Sequence, residues 1–322
     1  MTKKYRGSEC AITRREFIRN LALGSTVISF TGISGIFLTA CSASAVTYNP
    51  KYAYAELSTG IKIAYVELGD EAKPPIVFIH GATDSYISWS QVAPRVADAG
   101  HRVIVLELRG HGKSDKPEQG PYTIQTHAAD VSALLTQLGV SNAHIVGHSL
   151  GTFVAQNLAV EYPDTVKSLT LIGSAATVAG NPTLDWLLNG DGEFLGINNE
   201  SSLDEGFLRD WTASTNYAPE FIEATYEHAK ALPLYVWRNV FNGLSSKATD
   251  LSKITVPAQV IWGSEDGFFS RADEDALLAE LGSNSNDIEF LVKDGGSHNT
   301  HWEGHLDEEV AQDIVAFVKG HQ

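Results

Sequence analysis

The chain has 322 residues, 43% hydrophobic and 19% charged, a balance that supports one large domain, with or without an inserted subdomain, and excludes wholesale disorder. Its formal net charge of -16 is uneven: residues 1–40 carry six basic against two acidic side chains, a net of +4, which leaves -20 for the rest. A body that acidic repels phosphate backbones, which argues against nucleic acid as a partner.

The N-terminus reads as a targeting segment rather than part of the fold. Thr13-Arg14-Arg15-Glu16-Phe17-Ile18 resembles the twin-arginine export motif. A weakly apolar stretch over 21–40 follows and ends in Leu38-Thr39-Ala40-Cys41, which resembles a bacterial lipobox. That resemblance implies cleavage before Cys41, a lipid on its thiol, and a membrane-anchored protein facing the periplasm or cell exterior. Two other readings stay open. Ala43-Ser44-Ala45 also suits an ordinary signal peptidase, giving a soluble product, and 21–40 is long enough to remain as an uncut anchor. Cys10 and Cys41 are the only cysteines, so an acylated Cys41 leaves nothing to form a disulfide.

From Tyr52 the chain alternates strand and helix patterns. Strands are predicted over 54–57 and 61–68, joined by the turn Ser58-Thr59-Gly60. Pro74-Pro75 introduces the continuous apolar run 76–79, a strand buried on both faces. A helix over 89–99, a strand over 103–106, a helix over 124–138, a strand over 143–146, a helix over 150–161 and a strand over 168–172 follow. The rhythm then breaks: 177–253 is helical, aromatic and rich in loops. It resumes with a strand over 258–262, a helix near 271–281, a strand over 288–292 and a helix over 306–319. This pattern specifies a doubly wound, mostly parallel α/β sheet. Its core spans 41–176 and 254–322, with a helical cap inserted at 177–253.

Gly147-His148-Ser149-Leu150-Gly151 fits G-x-S-x-G between a strand and a helix. The pentapeptide alone is weak evidence, since roughly one chain in ten of this length contains it by chance. Its position makes it strong. The sharp turn holds the serine in a strained conformation at a helix N-terminus, and the glycines two before and two after keep the crossing of strand and helix open. A serine hydroxyl needs a base. In such turns the partners follow in the order Ser, Asp or Glu, His. Asp266, just past the strand 258–262, is the candidate orienting acid, with Glu265 its rival. His298, in Gly295-Gly296-Ser297-His298, is the candidate base, and His301 reads as structural. The backbone N–H groups of Leu150 and Ala82 are the candidate oxyanion donors.

His80-Gly81, the segment Arg109-Gly110-His111-Gly112, the serine turn, Trp262-Gly263-Ser264-Glu265-Asp266 and the histidine loop together resemble the α/β-hydrolase superfamily. Within it the chain is similar to capped members related to epoxide hydrolases, haloalkane dehalogenases and ester or C–C bond hydrolases. The first two use Asp where this chain has Ser149. A serine forms an acyl-enzyme and points to a small-molecule ester or lactone. C–C bond hydrolysis and cofactor-free perhydrolysis on the same triad, and a catalytically silent receptor or scaffold, remain as alternatives. The segment from Arg109 reads as structural. His148, Trp186, Trp211, Trp237 and Phe268 are candidates for an apolar substrate pocket. No metal-ligand spacing and no phosphate-cradling loop appears, so no cofactor is implied.

Overall fold

The apolar runs that read as buried strands become interior strands of an eight-stranded sheet in the computed structural model of the protein. It describes residues 49–322 except 192–193, 214–217, 246–247 and 283–286. The export motif and the lipobox with Cys41 therefore lie outside the described residues. Among the described residues no helix is long and apolar enough to cross a membrane.

The strands are β1 (Ala53–Glu56), β2 (Lys62–Leu68), β3 (Pro75–Ile79), β4 (Arg102–Leu106), β5 (Ala143–His148), β6 (Val166–Ile172), β7 (Ala258–Gly263) and β8 (Ile288–Lys293), in the spatial order β1-β2-β4-β3-β5-β6-β7-β8. Only the β1–β2 and β2–β4 pairings are antiparallel. The helices are α1 (Tyr86–Trp89), α2 (Val92–Asp98), α3 (Ile124–Gln137), α4 (Leu150–Glu161), α5 (Pro182–Asn189), α6 (Glu205–Trp211), α7 (Pro219–Ala231), α8 (Leu234–Leu244), α9 (Arg271–Gly282) and α10 (Asp307–Gly320).

Strand periodicity divides the core between two faces. In β3, Val77 and Ile79 join one apolar cluster with Leu134 of α3 and Val154 of α4, whereas Ile76 and Phe78 join another with Trp89, Val96 and Ile314 of α10. Both faces are covered, so β3, β5 and β7 are buried throughout. Helices α5 to α8 lie between β6 and β7 in the chain, and Phe194 of the α5–α6 loop stacks with Phe207 and Trp211 of α6.

One element departs from the sequence pattern. The single helix predicted over 89–99 is two, α1 and α2. Ser85 starts α1 early by accepting from the Ile87 amide, and Ser90 ends it by donating to Ile87 O. Pro94 sits in the first turn of α2, where its missing N–H costs nothing.

Candidate active site

The loops that follow β3, β5, β7 and β8 all leave the same, C-terminal edge of the sheet, where this architecture gathers ligand sites. Each delivers one part of the constellation.

Ser149 is the residue between β5 and α4, with φ 49° and ψ -117°, a conformation rare for any residue with a Cβ. Packing enforces the turn. A Cβ on Gly147 would lie 2.5 Å from Gly151 O, and one on Gly151 would strike the Ile79 carbonyl. The first amides of α4, Leu150 N–H among them, have no intrahelical acceptor and carry the positive end of the helix dipole.

His298 follows β8 and meets Asp266, which follows β7. Its Nδ1 lies 2.9 Å from Asp266 Oδ2. The other carboxylate oxygen accepts from the amides of Phe268 (2.7 Å) and Phe269 (2.9 Å), which fixes the side chain. Glu265 is exposed and has no such contact with His298. With Nδ1 engaged, His298 presents Nε2, which is buried and without a hydrogen-bond partner. The ring stacks on Phe268 at 5.2 Å. Nδ1–H bound to a carboxylate and Nε2 left open is the tautomer a general base requires.

The segment after β3 is held by histidines that act as structural hydrogen-bond relays. His80 Nε2 accepts from the Leu108 amide at 3.0 Å, and its Nδ1 bonds Gly81 O at 2.7 Å. His111 Nε2 accepts from the Thr83 amide at 3.1 Å, and its Nδ1 bonds Arg109 O at 2.9 Å. Burial pushes both rings below the usual histidine range, so they stay neutral, as one acceptor and one donor nitrogen demand. The loop from Arg109 is itself anchored by a buried two-bond pair from Arg109 to Asp130. This loop thus supports Ala82 and Thr83 from behind.

A pocket of about 40 Å³ joins these parts. Ala82, His148, Ser149, Trp211, Phe268 and His298 line it together with Asp84, Phe153 and other residues. It abuts a cleft of about 700 Å³ between α5, α4 and the end of α8, and Phe153 and Leu244 line both. Two expected pocket residues lie elsewhere. Trp237 of α8 is fully buried, edge-on to Phe207 at 5.9 Å, and Trp186 packs on Phe194 at 5.0 Å. Neither lines the pocket, because the apolar faces of α5 and α8 turn inward on each other. His301 is buried between Trp89 and His148, with ring centroids at 4.3 and 4.2 Å.

Sequence reasoning missed two carboxyl groups. Asp84 lines the pocket and lies 3.7 Å from His148 Nδ1. Glu274 of α9 is fully buried; its Oε1 accepts from the Ser174 amide and its Oε2 has no partner. Burial, reinforced by the neighbouring Asp266, pushes the Glu274 carboxyl up to about 9. A signal for it existed: Glu274, Leu277 and Leu281 fall on one helical face. Among the described residues no group of three or more His, Cys, Asp or Glu side chains is arranged to hold a metal ion.

Comparison with known proteins places the fold. The profile of the alpha/beta hydrolase fold family matches residues 74–305. The chain is 30% identical over 137 residues to Bifunctional epoxide hydrolase 2 of Sus scrofa, a match covering 42% of this chain and only 24% of the pig protein. It is 27% identical over 287 residues to the Non-heme chloroperoxidase of Streptomyces lividans, covering 81% of this chain and 98% of that protein. The structure of bromoperoxidase from Bacillus anthracis superposes with a TM-score of 0.71 at 22% identity, covering 84% of this chain and all of that one (100%), and so shares the fold. With a matching family profile over most of its length, the chain belongs to the alpha/beta hydrolase fold family of enzymes.

Proposed function

We propose that the protein hydrolyses a small-to-medium, apolar ester or lactone through an acyl-enzyme on Ser149. The observation that carries this reading is the His298–Asp266 contact of 2.9 Å, with His298 Nε2 open in the pocket that Ser149 lines. In this reading Ser149 Oγ attacks the carbonyl carbon while its proton passes to His298 Nε2. The amides of Leu150 and Ala82 stabilise the oxyanion. The imidazolium, steadied by Asp266, returns the proton to the departing alkoxide, and the alcohol leaves. A water then enters, loses its proton to His298 and attacks the acyl carbon; His298 returns that proton to Ser149 Oγ as the acid leaves. The helical segment 177–253 acts as a cap, and the aromatic walls Phe153, Trp211, Phe241 and Phe268 favour an apolar acyl or aryl group. The serine nucleophile separates this chemistry from that of relatives named as epoxide hydrolases.

A fluorophosphonate probe tests it. Covalent labelling of Ser149, lost in Ser149→Ala together with turnover of p-nitrophenyl esters, is expected. A folded protein that neither labels nor turns over any ester would instead be a scaffold.

We further propose export by the twin-arginine route and a lipid tether on Cys41, supported by the motifs at 13–18 and 38–41. Mass spectrometry of the mature N-terminus is expected to find diacylglyceryl-Cys41, and Cys41→Ser is expected to release the protein from membranes. An unmodified N-terminus after Ala45 would overturn the tether.

A further inference from the structure

A second cavity lies at the opposite edge of the sheet from Ser149, where the parallel strands begin. It measures about 320 Å³, and Lys73, His101, His144, Lys167 and Lys319 line it. Topology brings them together. Lys73 precedes β3, His101 directly precedes β4, His144 and Lys167 are the second residues of β5 and β6, and Lys319 stands in the last turn of α10. No Asp or Glu side chain lines the cavity.

The lysine side chains here are unpaired, although Gln322, which also lines the cavity, carries the terminal carboxylate. Among the described residues Lys73, Lys167 and Lys319 make no ion pair, whereas Lys293 engages both Glu309 and Asp313. The two histidines are 7% and 3% exposed. His101 Nε2 has no hydrogen-bond partner, while His144 Nδ1 lies 2.6 Å from Ser168 Oγ. Burial and the Lys319 ammonium hold His101 below its usual range, and burial and Lys167 hold His144 at about 4. A helix C-terminus favours a cation, which accounts for Lys319 without a ligand. It does not account for two further lysines and two buried imidazoles around one space in a chain of net charge -16.

We propose that this cavity binds a phosphoryl-type oxyanion, either inorganic phosphate or the phosphate of a lipid headgroup, at a site separate from Ser149. The lysines supply the point charges that meet the anion's oxygens, and the two imidazoles form part of the wall. The volume admits a tetrahedral oxyanion with room for a substituent. Acidic surroundings raise the cost of approach for any anion, so occupancy depends on these five side chains rather than on the general field of the protein.

The test uses the full chain carrying Cys41→Ser, so that no lipid contributes, with and without Lys73→Gln, Lys167→Gln and Lys319→Gln together; any membrane affinity of 21–40 is common to both proteins and cancels in the comparison. Inorganic phosphate is titrated by calorimetry at fixed ionic strength, and binding to phosphatidylglycerol and phosphatidylcholine vesicles is read by flotation. Phosphate binding that weakens roughly tenfold or more in the triple variant supports a free-anion site. No phosphate binding, but flotation with phosphatidylglycerol that falls in the triple variant, supports a headgroup site. If neither readout differs between the two proteins, the proposal is wrong. Thermal melting checks the fold. Should the triple variant melt early, the single variants Lys167→Gln and Lys319→Gln replace it, each expected to weaken binding roughly threefold.

Discussion

The indole Nε1 of Trp211 donates to Thr83 Oγ1 at 2.9 Å, tying the end of α6 to the loop that follows β3. Thr83 is held there in an uncommon conformation, φ 64°, and its hydroxyl donates in turn to Ala82 O at 2.6 Å. Its amide is fixed from the other side by His111. One α6 side chain thus restrains the peptide next to the amide proposed to hold the oxyanion.

Trp211→Phe keeps the ring and removes this bond. A misaimed donor weakens the transition state more than the bound substrate. The expected result is a kcat roughly five- to tenfold lower, about 1 kcal/mol, with KM changed less. Thr83→Val should give a similar loss, and the double variant no more than either alone. A rise in KM at constant kcat would reduce Trp211 to a pocket wall.

Ser149 pays for its exposure in backbone strain, and that strain is measurable. Ser149→Ala and Ser149→Gly should both lose ester turnover by a factor of at least about 10³. Their stabilities should differ: glycine adopts φ 49° freely, so the Gly variant is expected to exceed the Ala variant by about 1 kcal/mol in urea unfolding. Equal stabilities would mean that the turn is not strained.

How much of this was legible depended on whether a residue's environment is set locally. Ser149 was legible because strand, tight turn and helix follow one another in the chain, and the glycines at 147 and 151 report the close crossing directly. His298 and Asp266 were legible from their order and their places after β8 and β7. The pocket was not. Trp211 lines it and Trp237 does not, yet both are aromatic residues on short amphipathic helices. Which face meets the core depends on how α5 to α8 pack on one another, a long-range property. Asp84 and Glu274 escaped notice because an isolated acid reads as a solvated one. Only the folded chain shows that Glu274 is sealed from solvent near Asp266.

Phe153 stands one turn along α4 from Ser149, edge-on to Phe269 at 5.9 Å, and forms part of the partition between the small pocket and the large cleft. The small pocket holds little more than a water molecule or two, so an acyl group needs more room. Phe153→Ala should join the two spaces. Specificity is expected to shift toward long acyl chains, with the ratio of kcat/KM for p-nitrophenyl decanoate over acetate rising about tenfold. The change also removes a buried ring, at a cost of about 3 kcal/mol. An unchanged ratio in a folded variant would show that acyl groups enter elsewhere.

Glu274 gives the fold a dependence on pH with a definite sign. Its carboxyl is raised to about 9 in the native state, against an ordinary value of 4.5, so the native chain keeps a proton that the unfolded chain has lost across that window. More protons bound in the native state means that stability falls as pH rises, by up to about 1.4 kcal/mol per unit from this group, until the native carboxyl also ionises. Glu274→Gln keeps the shape and the hydrogen-bonding capacity without the titration. Urea unfolding at pH 5, 6, 7 and 8 is expected to show the Gln variant gaining on the wild type at each step, by at least about 1 kcal/mol in total. Groups elsewhere in the chain affect both proteins alike, so the difference isolates Glu274. A constant difference across the series would mean that Glu274 is ionised in the native protein, with Oε2 reaching solvent or a cation.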